Sequence, residues 1–285
     1  QAITELADEN VSAIVGPGAG ELAIAAAAVA SEQKIPIFLI TQKEGLMSQS
    51  EYVFQMSMQA KQQILALAKA AFDRGYKRFG IFYPNISYGQ TMAALFADEV
   101  KGRGGRVMAN VEYNRQSIDL YSQARMLKDE LATSAGVDAI FIPDQYKVVN
   151  VLVPALEFNG VKGMPLLGTS AWNDPELTLA MATSFPGSFF VDLYDASSSS
   201  KTVENFRTRF VGSFGRPPRV LEAYGYDAAM MIRQAADQSG SRNIKAALLN
   251  SSGFGGVTGI KGFTAGKGAV IESNVLKVKS SSVGE

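Results

Sequence analysis

The chain has 285 residues, 47% of them apolar, with 27 Lys and Arg balanced by 27 Asp and Glu. That length buries the core of one large domain or two smaller lobes, and the balanced charge supplies no field for nucleic acid, an anionic membrane or an acidic partner. Cys and His are both absent, which removes disulfide frameworks, thiolate metal sites, thiol nucleophiles, Ser-His-Asp arrangements and HExxH zinc sites. An enzyme built from what remains would need a carboxylate pair or a lysine base; Asp144, Glu157, Asp174 and Glu176 show no spacing specific to such a pair. No run reaches the roughly 18 apolar residues of a membrane span, and no secretion signal precedes the first helical pattern, so the chain reads as opening inside a fold.

The opening QAITELADEN has Ile3, Leu6 and Ala7 at helical spacing. Strand VSAIVG, a helix over 20–32, strand IPIFLI, the irregular stretch TQKEGLMSQSEY and strand YVFQMS follow. The alternation continues with a helix from Gln59 to Arg74, strand RFGIFYP, a helix from Gly89 to Gly102 and strand RVMANVEY. Next come a helix from Tyr121 to Ala132, strand DAIFIP, a helix from Val148 to Asn159 and strand MPLLGT. Apolar strands separated by helices of this length predict an α/β fold with mainly parallel sheets covered on both faces. Strand GSFFVDLY then leads through the serines 197–200 to helices Thr202–Phe214 and Leu221–Ser239, joined by the rigid turn GRPPRV. The glycine-punctuated end, from Gly253 onward, predicts an antiparallel pair at a sheet edge. SAIVGPGAGELAIAAAAVA and RFGIFYPNISYGQTMAALFA both run strand, loop, alanine-rich helix, as two similar lobes would.

The loop GPGAG, residues 16–20, invites a phosphate reading. A dinucleotide fingerprint requires a third glycine where Glu21 stands, and a Walker loop requires Gly-Lys-Ser/Thr. Glu21 also puts a negative charge in the first helical turn, where a phosphate would sit. Two readings remain for this loop: a tight strand-to-helix turn, or a backbone-lined pocket for a small polar ligand.

The ordered motifs VSAIVGP, IPIFLIT, YVFQMS, KRFGIFYPNISYGQTMAALFADEVKGRGGRV, IFIPDQYKVVNVLVPALEFNGV, LLGTSAWNDPEL and EAYGYDAAMMI resemble the type I periplasmic binding proteins. These are the Leu/Ile/Val-binding-protein-like receptors of amino-acid ABC transporters. YPNISYG, FIPDQY, LLGTSAWNDPEL and FGGVTGIKGF are most similar to the penicillin-binding protein activator branch of extracellular ligand-binding receptors. The resemblance covers nearly the whole chain. It implies two similar lobes, residues 1–57 with 190–253 and residues 58–189 with 254–285. Crossovers would fall near Met56–Gln59, Pro186–Asp192 and Gly253–Val257, with a ligand cleft that closes by hinge motion. It also implies a further β-α-β unit ahead of Gln1, which the first lobe lacks here.

What the resemblance implies for function is a small polar ligand, an amino acid or related compound, held without a cofactor or metal and passed to a membrane permease. A cell-wall synthase regulated by protein contact is the alternative partner. The expected location is periplasmic or otherwise extracytoplasmic, with lipid anchoring through a segment outside this chain as one option. In relatives the loop matching Gly18, Ala19 and Gly20 receives the ligand carboxylate on backbone N–H groups, and the usual hydroxyl position is Gly20 here. Thr41 and Gln42 would add polar contacts, Tyr88 an aromatic wall, and Gln145 or Tyr146 an opposing surface. Ser170 stands where relatives carry an ammonium-binding carboxylate; with Glu21 it argues against an α-amino acid. Trp172 either stacks on the ligand or anchors WNDPEL, Asp144 is either a ligand carboxylate or a helix cap, and Tyr224 and Asp227 pack and cap.

Overall fold

The computed structural model describes all residues except 19, 118, 135, 178–179, 241–242, 265–267 and 279–285. The chain divides into two compact units, Gln1–Gln59 with Leu193–Asn274, and Ala60–Asp192 with Val275–Glu285. Residues 254–274, expected with the second lobe, therefore group with the first unit.

In the first unit, strands β1 (Ile14–Val15), β2 (Ile37–Leu39) and β3 (Val53–Gln55) form a parallel sheet in that order. Phe38 lies beside Val15 on one side and Phe54 on the other. All three residues of β2 are buried, as expected of a parallel strand covered on both faces. Helix α1 (Ala2–Asp8) leads into the sheet, and α2 (Gly20–Glu32) buries Ala23, Ala26, Ala27 and Ala30. That i, i+3, i+4, i+7 stripe of methyl groups lets α2 lie close to its neighbours. The short helix α3 (Leu46–Gln49) interrupts the stretch expected to be irregular.

The second unit carries a six-stranded sheet ordered β11-β8-β7-β6-β4-β5. Its strands are β4 (Arg78–Pro84), β5 (Arg106–Tyr113), β6 (Ala139–Phe141), β7 (Leu166–Gly168), β8 (Phe189–Asp192) and β11 (Asn274–Lys277). The pairs from β5 through β8 are all parallel. Helices α4 (Ala60–Asp73), α5 (Ser87–Gly102), α6 (Leu120–Ala132), α7 (Tyr146–Phe158) and α8 (Ala180–Ser184) complete it. Successive strand side chains point to opposite faces, and the core divides accordingly. Phe79, Ile81, Phe141, Leu167 and Phe189 pack with α4 and α5, while Phe82, Ile140, Leu166 and Phe190 pack with α6 and α7.

The remainder of the first unit comprises α9 (Lys201–Phe214), α10 (Val220–Ser239), α11 (Ile244–Leu249) and the antiparallel strands β9 (Ile260–Thr264) and β10 (Gly268–Ile271). Phe263 of β9 meets Phe38 and Phe54 edge-on, at 6.0 and 4.9 Å between ring centroids. This aromatic contact binds the hairpin to the first unit and explains why the expected boundary near 253 moves to 274. Asp227, expected to cap, does so across 30 residues of chain. It is buried in α10 and accepts the N–H groups of Val257 and Thr258, both at 2.8 Å, and the Thr258 hydroxyl. Gly256 has no room for a side chain there, since a Cβ would lie 2.4 Å from the Asp227 carboxylate oxygens.

Gly168 is similarly constrained, because a Cβ would lie 2.1 Å from Trp172 Cδ2. We expect Gly168→Ala to lower stability by about 1–3 kcal/mol or more through overpacking, read as a lower urea midpoint. Asp227→Ala should orphan two buried N–H donors, at about 1–3 kcal/mol each, and lower the midpoint by a comparable or larger amount.

Candidate functional site

In an open parallel sheet, ligands bind beyond the carboxyl ends of the strands, so each unit's strand-end loops are the candidate surface. In the first unit, β1 runs into Gly16, whose N–H bonds Phe38 O at 2.7 Å, and a cis Gly16–Pro17 bond turns the chain towards α2. Gly18 and Gly20 are exposed at the start of α2, and Ala19 lies outside the described residues. A Cβ on Gly20 would sit 3.6 Å from Thr41 Oγ1, so the loop after β1 and the loop after β2 meet here. Thr41 is buried; its carbonyl accepts bonds from Gln55 Nε2 and Ser57 Oγ, and its hydroxyl accepts Lys43 N–H at 3.2 Å. Gln42 is half-buried beside it, and Glu21 is exposed in the first turn of α2.

In the second unit, a Cβ at Gly89 would lie 2.4 Å from Pro84 O; the bare glycine lets α5 start directly against the end of β4. This places Tyr88, half-buried, with its hydroxyl donating to Thr169 Oγ1 at 2.9 Å. Burial pushes the Tyr88 phenol up to about 12, with the Asp144 charge adding to it against the Thr169 hydrogen bond. Ser170, the next residue, is half-buried and donates through its N–H and hydroxyl to Gln63 Oε1, at 3.0 and 3.1 Å.

Asp144, at the end of β6, is 1% exposed. Its Oδ2 accepts the Tyr113 hydroxyl at 2.6 Å, and its Oδ1 accepts the Gln145 N–H at 2.7 Å and lies 3.1 Å from Arg115 Nη2. Burial first, then the adjacent carboxylate, holds the Tyr113 phenol far above its ordinary range. Gln145 is exposed and precedes α7, while Tyr146 donates to Glu176 Oε2 at 3.3 Å. Burial, followed by the charges of Asp174 and Glu176, raises the Tyr146 phenol as well.

The expected residues thus fall into groups. Gly20 joins Thr41, and Tyr88 joins Thr169 beside Ser170. The Gln145 N–H donates to the buried Asp144 carboxylate, while the Tyr146 hydroxyl donates to Glu176. Trp172 departs from the stacking reading: it is 0% exposed and sits in the core with Phe190, its ring filling the space Gly168 leaves. Tyr113, Arg115 and Gln63 went unnoticed in the sequence. The signal for Arg115 was its place just past the end of β5, in a strand-end loop like the others.

Among the described residues, no cluster of three His, Cys, Asp or Glu could hold a metal ion, and no helix is long and apolar enough to cross a membrane. A cavity of about 690 Å³ lies at the opposite, amino-terminal end of the first unit's strands, bounded by Ser12, Lys34, Tyr52 and Lys245. Lys245 there pairs with Glu51.

Two units, each with a parallel sheet flanked by helices, define an α/β protein. The chain belongs to the periplasmic binding protein family, whose model matches residues 1–280. It is accordingly a solute-binding protein and not an enzyme, and the family implies an extracytoplasmic location. The fold is that of a leucine-binding protein from Thermotoga maritima, with 23% identity, a TM-score of 0.77, and coverage of 97% of this chain and 81% of that one. A branched-chain amino acid ABC transporter protein from Rhodospirillum rubrum, described as putative, gives 19%, 0.83, 98% and 81%. A solute-binding protein of an ABC transporter from Rhodopseudomonas palustris, solved with 3,4-dihydroxybenzoic acid, gives 19%, 0.75, 97% and 78%. Comparison with curated proteins finds no match.

Raised folded-state pKa values give stability that is complete below the unfolded value of about 10 and is lost as pH rises towards the folded value, about 12 for Tyr88. Stability should therefore fall with pH above about 10. Tyr113→Phe should flatten that alkaline limb in urea titrations at successive pH values, and at neutral pH should cost about 1.5–3 kcal/mol for the lost bond to a carboxylate.

Proposed function

We propose that this protein is the solute-binding component of an ABC-type transport system, holding a small polar organic compound on its strand-end loops and delivering it to a membrane permease. The observation that carries this reading is the family match along 1–280 together with the polar groups at the strand ends of each unit. Gly20 offers a backbone N–H at the start of α2 beside the Thr41 hydroxyl, with Gly18 exposed next to it, and Tyr88 and Thr169 offer a hydrogen-bonded hydroxyl pair with an aromatic face. Two of the solved relatives named above are a leucine-binding protein and a protein holding 3,4-dihydroxybenzoate. Those compounds share a carboxylate and an apolar body, which sets the size and chemistry of the first ligands to test.

A ligand that binds only the folded state raises stability by RT ln(1 + [L]/Kd), about 2.7 kcal/mol at a hundredfold excess over Kd. Thermal melts with amino acids, aromatic acids, nucleosides, sugars and cell-wall fragments should therefore give a clear rise in Tm for one class. Gly20→Leu should abolish that rise with little change in the unliganded Tm, because the position is exposed and has room for a Cβ. No rise with any class, alongside capture of a cell-wall synthase, would replace transport with the regulatory reading.

A further inference from the structure

The Asp144 carboxylate acts electrostatically on the Tyr88 phenol, and it is closed to a ligand. Both its oxygens are occupied and only 1% of the residue is exposed. Ser170, alongside Thr169, is neutral and directed to Gln63. Arg115 differs. One of its terminal nitrogens meets Asp144 at 3.1 Å while 27% of the side chain remains exposed. A guanidinium carries five N–H donors in a rigid fork, so a single contact with one carboxylate oxygen leaves others for a second acceptor. The loop geometry links this group to the candidate surface: Arg115 N–H bonds Asn85 Oδ1 at 3.1 Å, in the same short loop that leads to Tyr88. A buried carboxylate holding one edge of a guanidinium fixes its orientation, and planar carboxylates are the acceptors that such a fork recognises.

We infer that Arg115 is a specificity-determining residue that binds a ligand carboxylate, with Asp144 as its positioning partner, and that the transported compound is an organic acid without an ammonium group. This rests on the solute-binding reading and narrows its ligand class. An α-amino acid carries its ammonium group one carbon from the carboxylate, so binding at Arg115 would bring that cation beside the guanidinium, whose paired Asp144 is sealed. A keto or aromatic acid of the same size meets no such conflict. Lys147, Asp174 and Glu176 gather around Tyr146, where the two acids outnumber the lysine; the ligand's anionic end is therefore assigned to Arg115.

The test is calorimetric titration of the whole chain with four probes: L-leucine, its keto acid 4-methyl-2-oxopentanoate, 3,4-dihydroxybenzoate and 3,4-dihydroxybenzamide. At least one acid lacking an ammonium group should bind tenfold or more tightly than leucine and than the neutral amide. Arg115→Gln should weaken that acid tenfold or more. Because this change strands Asp144, the double variant Arg115→Gln with Asp144→Asn is measured beside it. The double variant should recover the unfolding midpoint that Arg115→Gln loses, yet should not recover acid affinity. Leucine binding as tightly as the keto acid, or acid affinity within twofold of the parent in the double variant, would overturn the assignment while leaving solute binding intact. Absence of binding by these probes and by the wider panel of amino acids, sugars and nucleosides would overturn both.

Discussion

A buried carboxylate must be paired, and in the second unit that requirement organises the edge of the sheet where every parallel strand ends. Leaving Asp144 unpaired would cost several kcal/mol. Its partners come from three places in the chain: the Tyr113 hydroxyl from the end of β5, the Gln145 N–H from the start of α7, and the Arg115 guanidinium from the loop beyond β5. The end of β4 lies between them in the sheet order, so the Asp144 cluster spans it and draws in Asn85. The arrangement of this strand-end surface is in this sense a by-product of satisfying one buried charge.

The first unit reaches a similar end without a charge. Gln55 and Ser57 both donate to the Thr41 carbonyl, and Gln55 also bonds Lys43 O at 2.8 Å. These side chains from β3 and just beyond it fix the loop after β2, and thereby the hydroxyl that lies against Gly20. Neutral donors and hydroxyls here contrast with the guanidinium of the second unit.

Much of the fold was legible because alternating apolar strands and helices leave few alternatives once the strands are too apolar to face water. Gly16–Gly20, Tyr88 and Thr41 were legible for the same reason, since they stand at strand ends. Distance along the chain hid the rest. Nothing near Phe263 shows that it completes a ring cluster with Phe38 and Phe54, so the terminal hairpin was assigned to the wrong unit. A lone tryptophan in a polar turn reads equally as a stacking surface or an anchor; its fate is decided by Gly168, four residues earlier, whose missing side chain makes the space. Nothing near Arg115 in the chain points to Asp144, 29 positions on, which pairs with it.

The same polar anchors bear on how the chain passes between units. At the first passage, after Gln59, the backbone is pinned shortly before by Gln55 and Ser57. At the second, after Asp192, that buried residue accepts Asn173 Nδ2 at 2.7 Å. At the third, Asn274 donates to Leu193 O at 3.1 Å, tying the residue that ends one passage to the one that begins another. Side-chain hydrogen bonds thus reach almost to each boundary, and fixing a residue in one backbone well removes roughly 1–2 kcal/mol of conformational freedom.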